Sequence, residues 1–149
     1  MFEQRFGFRL KWLGCACFEM NFGSVTVVND PWITQNPNTN LTWEAVEKCD
    51  YITLSHGHFD HVMDIPALLK KFNPYVLCGE NTAIPLMQWS NINPMKVYSM
   101  YPNLEVDLDD VRVQALYGHH TPLPGGWNDR AHKHQERLGD ADLIALVKC

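Results

Sequence analysis

Along residues 6–14, FGFRLKWLG, apolar and polar side chains alternate with a period near two. The alternation continues through CFEMNFG and SVTVVND, residues 17–30, punctuated by glycine and by Asn-Phe-Gly. A period of two is the signature of a half-buried strand, so these segments predict three short strands in an antiparallel meander. The last should stop at Asp30-Pro31, because proline has no N–H to give to a ladder. Residues 33–42, ITQNPNTNLT, are polar and turn-forming and predict a surface loop. Thr42 is placed to cap a short helix over WEAVEK, with Glu44 and Glu47 near its start, where the helix dipole favours acids.

Beyond Cys49 the periodicity changes. YITLS, residues 51–55, reads as a buried strand. In DIPALLKKF, residues 64–72, the apolar positions Ile65, Leu68, Leu69 and Phe72 follow helical spacing, with Asp64 as N-cap and Pro66 in the first turn. YVLCG at 75–79 is another strand. Asn81 is placed to cap a helix over TAIPLMQWS, which Pro85 either starts late or kinks. VYSM, LEVDL and DVRVQALYG follow as strands, and the turn DLDD at 107–110 makes the last two a hairpin. Residues 121–140 form a long polar stretch of the kind that is often functional, and ADLIALVK is an apolar strand. Strands interspersed with helices predict an α/β layered fold with a mixed sheet. Neither a solenoid-type repeat nor a low-complexity tract is present.

Composition narrows the class. The chain has 149 residues, 46% hydrophobic and 19% charged, which suits one globular domain or part of one. Its net charge of −5, without a basic block, argues against a nucleic-acid or anionic-membrane partner. No apolar run approaches the roughly 20 residues of a membrane span. The N-terminal MFEQRFGFRLKW lacks an apolar signal region. These features predict a soluble, cytoplasmic protein. The five cysteines are scattered and odd in number, which predicts free thiols. Cys15 and Cys17, in CAC, have a spacing that could hold a soft metal, but two positions on one face of a half-buried strand explain them equally well.

The chemistry concentrates in SHGHFDH, residues 55–61, directly after a strand and before a helix. Ligand sites of layered α/β proteins favour the loops at strand C-termini. Gly57 allows a tight turn, so His56 and His58 can aim at one point. Asp60 and His61 come one turn later and can aim at a second point beside it. Imidazole nitrogen and carboxylate oxygen suit zinc, manganese or iron. Two such ions about 3.5–4 Å apart can share an oxygen and make a hydroxide nucleophile at neutral pH. A hydrogen-bonded polar loop without a metal is the plainer alternative, but it does not explain four ligand-type residues at this spacing.

The run H-x-H-x-D-H after a strand resembles the metallo-β-lactamase superfamily, residue by residue at His56, His58, Asp60 and His61. KWLGCACFEMNFGSVTVVNDPW is similar to that family's opening strands, which end in an aspartate-containing turn, here Asp30. Within the superfamily the chain looks most like the ascorbate-6-phosphate-lactonase-like branch. The resemblance implies an αββα sandwich, of which residues 1–149 supply only the N-terminal part as a single, incomplete domain. It implies a further histidine from a later strand end: after the strand from Val111 to Tyr117, His120 fits by register, with His119 as the alternative. Asp30 is implied to hold loop N–H groups and not metal. The cofactor implied is a divalent metal, zinc or manganese, as one or two ions. The activity implied is hydrolysis of a small ester, lactone or phosphoester, with a phosphorylated sugar lactone suggested by the branch. Asp60 would orient the nucleophile or take a proton.

The family's later half carries a bridging aspartate after a strand and then a last histidine. Here Asp140 and Asp142 precede their strand and no histidine follows. The first metal site could thus be complete with three histidines, while the second has only Asp60 and His61. A non-catalytic metal-binding or interaction half-domain therefore stands as the alternative, and a redox-active non-haem iron protein as a third reading. A half-sandwich leaves a sheet face uncovered, which predicts a partner: a C-terminal segment or a second copy of the chain. His132 and His134 form a second H-x-H in a charged stretch that reads as a solvated lid. Beside them, Arg130, Lys133 and Arg137 read first as scattered, solvated charges, with attraction of an anionic substrate as the alternative.

Overall fold

A computed structural model describes residues 7–109, 111–118 and 120, and the backbone of 143–148. The meander forms as expected. Strands β1 (Arg9–Gly14), β2 (Cys17–Asn21) and β3 (Thr26–Asn29) pair antiparallel in chain order. Strands β4 (Tyr51–Thr53), β5 (Tyr75–Gly79) and β6 (Val97–Met100) then extend the sheet in parallel, giving six strands in sequence order. The parallel crossovers carry helices α1 (Phe59–Val62), α2 (Ile65–Phe72) and α3 (Glu80–Ser90). A second sheet is antiparallel and three-stranded: β7 (Glu105–Leu108), β8 (Val111–Leu116) and β9 (Leu143–Lys148). Asp109 turns the expected hairpin at φ 55°.

Two cores divide the molecule into layers. On one face of the large sheet, Val28, Ile52, Leu54 and Val76 pack with Ile65, Leu68, Ala83 and Leu86 of the helices. On the other face, Val27, Leu77 and Met100 pack with Leu108, Val111, Val113 and Ala115 of the small sheet. β5 is buried on both faces, which is why YVLCG reads as a continuous apolar run. Each fully buried branched side chain contributes about 1.5–3 kcal/mol to holding these layers. The order is helix, sheet, sheet. The outward face of β7 and β8 carries Glu105, Asp107, Arg112 and Gln114, with Arg112 Nε 2.6 Å from Asp107 and Gln114 Nε2 3.1 Å from Glu105. These four side chains of β7 and β8 are polar and paired with one another. Among the described residues no helix is long and apolar enough to cross a membrane.

Local differences from the sequence reading have physical causes. WEAVEK makes only a single 3-10 turn, Trp43–Ala45, because side chains from elsewhere claim its backbone. The Ala45 carbonyl accepts from Lys11, the Val46 carbonyl from Lys71, and the Glu47 N–H donates to the buried Glu19 carboxylate. Thr42 gives its hydroxyl to Glu44 and caps nothing. α3 starts after Gly79 instead of Asn81 and continues through Pro85. The loop at 33–42 is not wholly on the surface, since Ile33 and Asn36 are buried. Cys15 and Cys17 do not share a strand face: Cys15 is exposed in the β1–β2 turn at φ 46°, and Cys17 is buried in β2. Cys15, Cys17, Cys49 and Cys78 are free, and Cys149 lies outside the described residues.

Candidate metal centre

The carboxyl ends of β3 and β4 supply most of the site. After β3 the chain turns at Asp30 with φ 43°, a conformation that aspartate tolerates better than most residues. Its buried carboxylate accepts from Ser55 N–H at 2.7 Å and from the Asn29 side-chain amide at 3.1 Å. The same carboxylate stands 3.1 Å from His61 Nδ1. Asp30 thus holds loop N–H groups, as expected, and also fixes one ring of the cluster. A ring whose Nδ1 faces a carboxylate leaves Nε2 as its free ligand atom.

After β4 the run SHGHFDH folds into an extended loop and the short helix α1. His58 is the extended residue before α1, and its carbonyl accepts the His61 N–H at 3.0 Å. That turn brings His61 back beside His56, with ring centroids 4.0 Å apart. Gly57 also leaves room for a neighbouring helix. A Cβ there would meet the Thr82 side chain of α3 at 3.2 Å, tighter than ordinary contact, so Thr82 would have to shift by a few tenths of an ångström.

His120, beyond β8, completes a three-imidazole group. Ligand-type atoms of His56, His58 and His120 all lie within 4.8 Å of one another. Their ring centroids are 4.5, 4.8 and 4.6 Å apart in pairs. Three nitrogens bound to one zinc at about 2.0–2.1 Å sit about 3.3 Å from each other, within reach of small ring rotations. His56 Nε2 is buried and has no hydrogen-bond partner among the described residues, while its Nδ1 lies 3.0 Å from Ser55 Oγ. An orphaned buried imidazole nitrogen facing two other imidazoles fits a metal. The electrostatics agree. Burial, together with His61, His58 and His120 nearby, pushes the His56 pKa down to about 4, so the ring is neutral near pH 7. Burial opposes charge on His61 as well, but the hydrogen bond and charge of Asp30 outweigh it and raise its pKa.

Asp60 and His61 do not join the three-imidazole group. They form a pair beside it, with His61 Nε2 3.6 Å from Asp60 Oδ2. Each of the five expected ligands therefore stands at this edge, three as one group and two as a neighbouring pair. His119, Arg130, His132, Lys133, His134, Arg137, Asp140 and Asp142 lie outside the described residues. Sequence reasoning missed the work of Ser55 and Asp64. Asp64 caps no helix N–H with its side chain. Its carboxylate accepts from Ile33 N–H at 2.6 Å and Thr34 N–H at 2.8 Å. Its own N–H donates to the Pro31 carbonyl at 3.0 Å, which pins the loop after Asp30 to the start of α2. Only a buried-carboxylate argument could have found this, since Asp64 sits at an ordinary capping position.

The model of the beta-lactamase superfamily domain matches residues 9–141. A UPF0173 protein of Pyrococcus abyssi is 31% identical over 134 residues, 89% of this chain and 60% of that protein. A UPF0173 metal-dependent hydrolase of Koribacter versatilis is 38% identical over 73 residues, 48% of this chain and 31% of that protein. The chain therefore spans only part of the length of the relatives it matches. Igni18, a metallo hydrolase from Ignicoccus hospitalis, aligns with a TM-score of 0.70 at 18% identity, over 95% of this chain and 56% of that one. At that identity the likeness shows the fold.

Proposed function

The chain belongs to the beta-lactamase superfamily, and from that premise we propose that it acts as a metal-dependent hydrolase of an ester, lactone or phosphoester. The observation that carries the reading is the convergence of His56, His58 and His120 around a buried, unpartnered His56 Nε2. These three residues would hold a divalent ion, zinc or manganese. Such an ion supplies a Lewis acid for the electrophile and lowers the pKa of water. The chain's own side chains do the rest. Asp30 keeps His61 oriented with Nε2 toward Asp60, and Asp60, partly open to solvent, would orient the nucleophile or take its proton. A second ion would draw on Asp60 and His61.

Metal analysis of protein purified without added metal tests the centre. Wild type should retain zinc or manganese, His58→Ala should lose most of it, and Lys96→Ala should keep it. Equal content in wild type and His58→Ala rejects the assignment. Turnover of a panel of lactones and phosphodiesters, with zinc or manganese added, tests the chemistry. Asp60→Ala should slow it by about 10²- to 10⁴-fold. Bound metal without turnover of any member favours the non-catalytic metal-binding reading.

A further inference from the structure

Phe59 sits between two of the proposed ligands, His58 and Asp60, yet it is 66% exposed. It opens α1, and its ring meets Trp32 edge to face, with centroids 5.8 Å apart and planes at 71°. Trp32 belongs to the loop after Asp30. That loop is held from both sides: Asp30 binds Ser55 N–H, and Asp64 binds the N–H groups of Ile33 and Thr34. The two rings are thus fixed on the same scaffold that orients the histidines, and one is left largely open to water. A single exposed apolar side chain is ordinary. A braced aromatic pair flanked by metal-type ligands is different, because an edge contact leaves ring surface free for a further planar group.

The charge contacts of the described residues lie elsewhere on the molecule or on the acids beside the histidines. Among the described residues, Arg9 and Lys11 are paired with Glu47, Lys48 with Asp50, and Arg112 with Asp107. Lys71 stands over Trp43 and Phe72, and Lys96 over Tyr75. The charged side chains shown beside the histidines are acids, Asp30 and Asp60.

We infer that Phe59, braced by Trp32, is a specificity-determining residue that receives an aromatic acyl group of the substrate beside the metal centre. The inference rests on the proposed hydrolase reading and names its substrate class. Calorimetric titration of the zinc-loaded full chain with benzohydroxamate and with acetohydroxamate tests it, since both reach the metal through the same group and differ in the ring. In wild type, benzohydroxamate should bind at least tenfold more tightly than acetohydroxamate. In Phe59→Ala the two should fall within about twofold, with zinc content and acetohydroxamate affinity unchanged. Phe59→Leu should be intermediate, and Met95→Ala, far more exposed at 84%, should match wild type. Zinc bound with no preference for the ring, or a preference that survives Phe59→Ala, overturns the inference and leaves the hydrolase reading standing. Failure to load zinc at all overturns both.

Discussion

The two ends of the parallel strands β4–β6 make a useful comparison, because both are crowded with polar and aromatic side chains. At the amino end, Tyr51, Tyr75 and Tyr98 run across the strands with ring centroids 5.8 and 5.7 Å apart. Lys96 covers Tyr75 at 4.0 Å and donates to the Asn73 carbonyl at 2.9 Å. Asp50 accepts the Thr26 N–H and pairs with Lys48. A cleft of about 250 Å³ opens among these groups. At the carboxyl end stand the histidines. Among the described residues, each end holds one buried polar side-chain atom without a hydrogen-bond partner, Thr26 Oγ1 at the first and His56 Nε2 at the second. A neutral hydroxyl is a poor ligand for a divalent ion, whereas a neutral imidazole nitrogen among imidazoles is a good one. The chemistry of the surroundings, and not the size of the cleft, distinguishes the candidate site from the structural end.

Removing one aspartate at each end, the buried Asp30 or the half-buried Asp50, should break the comparison most clearly. Asp30→Ala takes the acceptor from Ser55 N–H, from the Asn29 amide and from His61 Nδ1. Each donor left buried and unpaired costs about 1–3 kcal/mol. Loss of the group that orients a metal-binding histidine should lower metal affinity by about 10- to 100-fold. Asp50→Ala should cost some stability and leave metal affinity unchanged. Chemical denaturation and zinc titration of the two variants read both effects, and equal metal affinity would remove Asp30 from the site.

A smaller effect should appear in metal-free protein as a function of pH. The folded His56 ring, held down to about 4, resists a proton that the unfolded chain takes near the ordinary value of 6.5. Its contribution to stability is therefore present above about 6.5 and lost as pH falls toward about 4. His61 acts with the opposite sign. Asp30 favours its charged form, adding stability below about 6.5 that is lost as pH rises through the raised folded value. His56→Asn removes the first contribution and keeps the second, so the acid loss of stability should shrink relative to wild type. Denaturation midpoints at about pH 7 and about pH 4.5 decide it. An unchanged acid loss would mean that His56 is not the resisting group.

Much of the carboxyl end was legible in the sequence because ligand spacing is local. His56, His58, Asp60 and His61 lie within one loop and one helical turn, and β8 carries a period-two pattern that counts forward to His120. The meander and the hairpin were legible for the same reason. What escaped was decided by partners distant in sequence. Residues 43–48 carry helix-forming signals, but Lys11, Glu19 and Lys71 take their backbone groups. Asp64 looks like a cap because the sequence cannot show Ile33 and Thr34 facing it across 31 and 30 residues. Gly57 reads as a turn glycine, and only the fold shows how closely Thr82 of α3 approaches it.

The smallest expected effect sharpens the comparison from the amino end. Lys96 combines a cation–π contact with Tyr75 and a hydrogen bond to Asn73, both at a partly buried position on the cleft. Its ammonium is a donor at the end of a flexible stem, and water can replace the hydrogen bond when the side chain is cut back. What Lys96→Ala removes for good is the contact with the ring, worth about 0.5–1 kcal/mol at such a site. Stability should fall by about that much, and zinc content should not change, because no ligand-type residue of the histidine cluster lines the cleft. Denaturation and metal analysis on the same preparation separate the two outcomes. If Lys96→Ala lost zinc while keeping its fold, the two ends would be coupled through β4 and β5, and the division between a structural end and a chemical end would have to be abandoned.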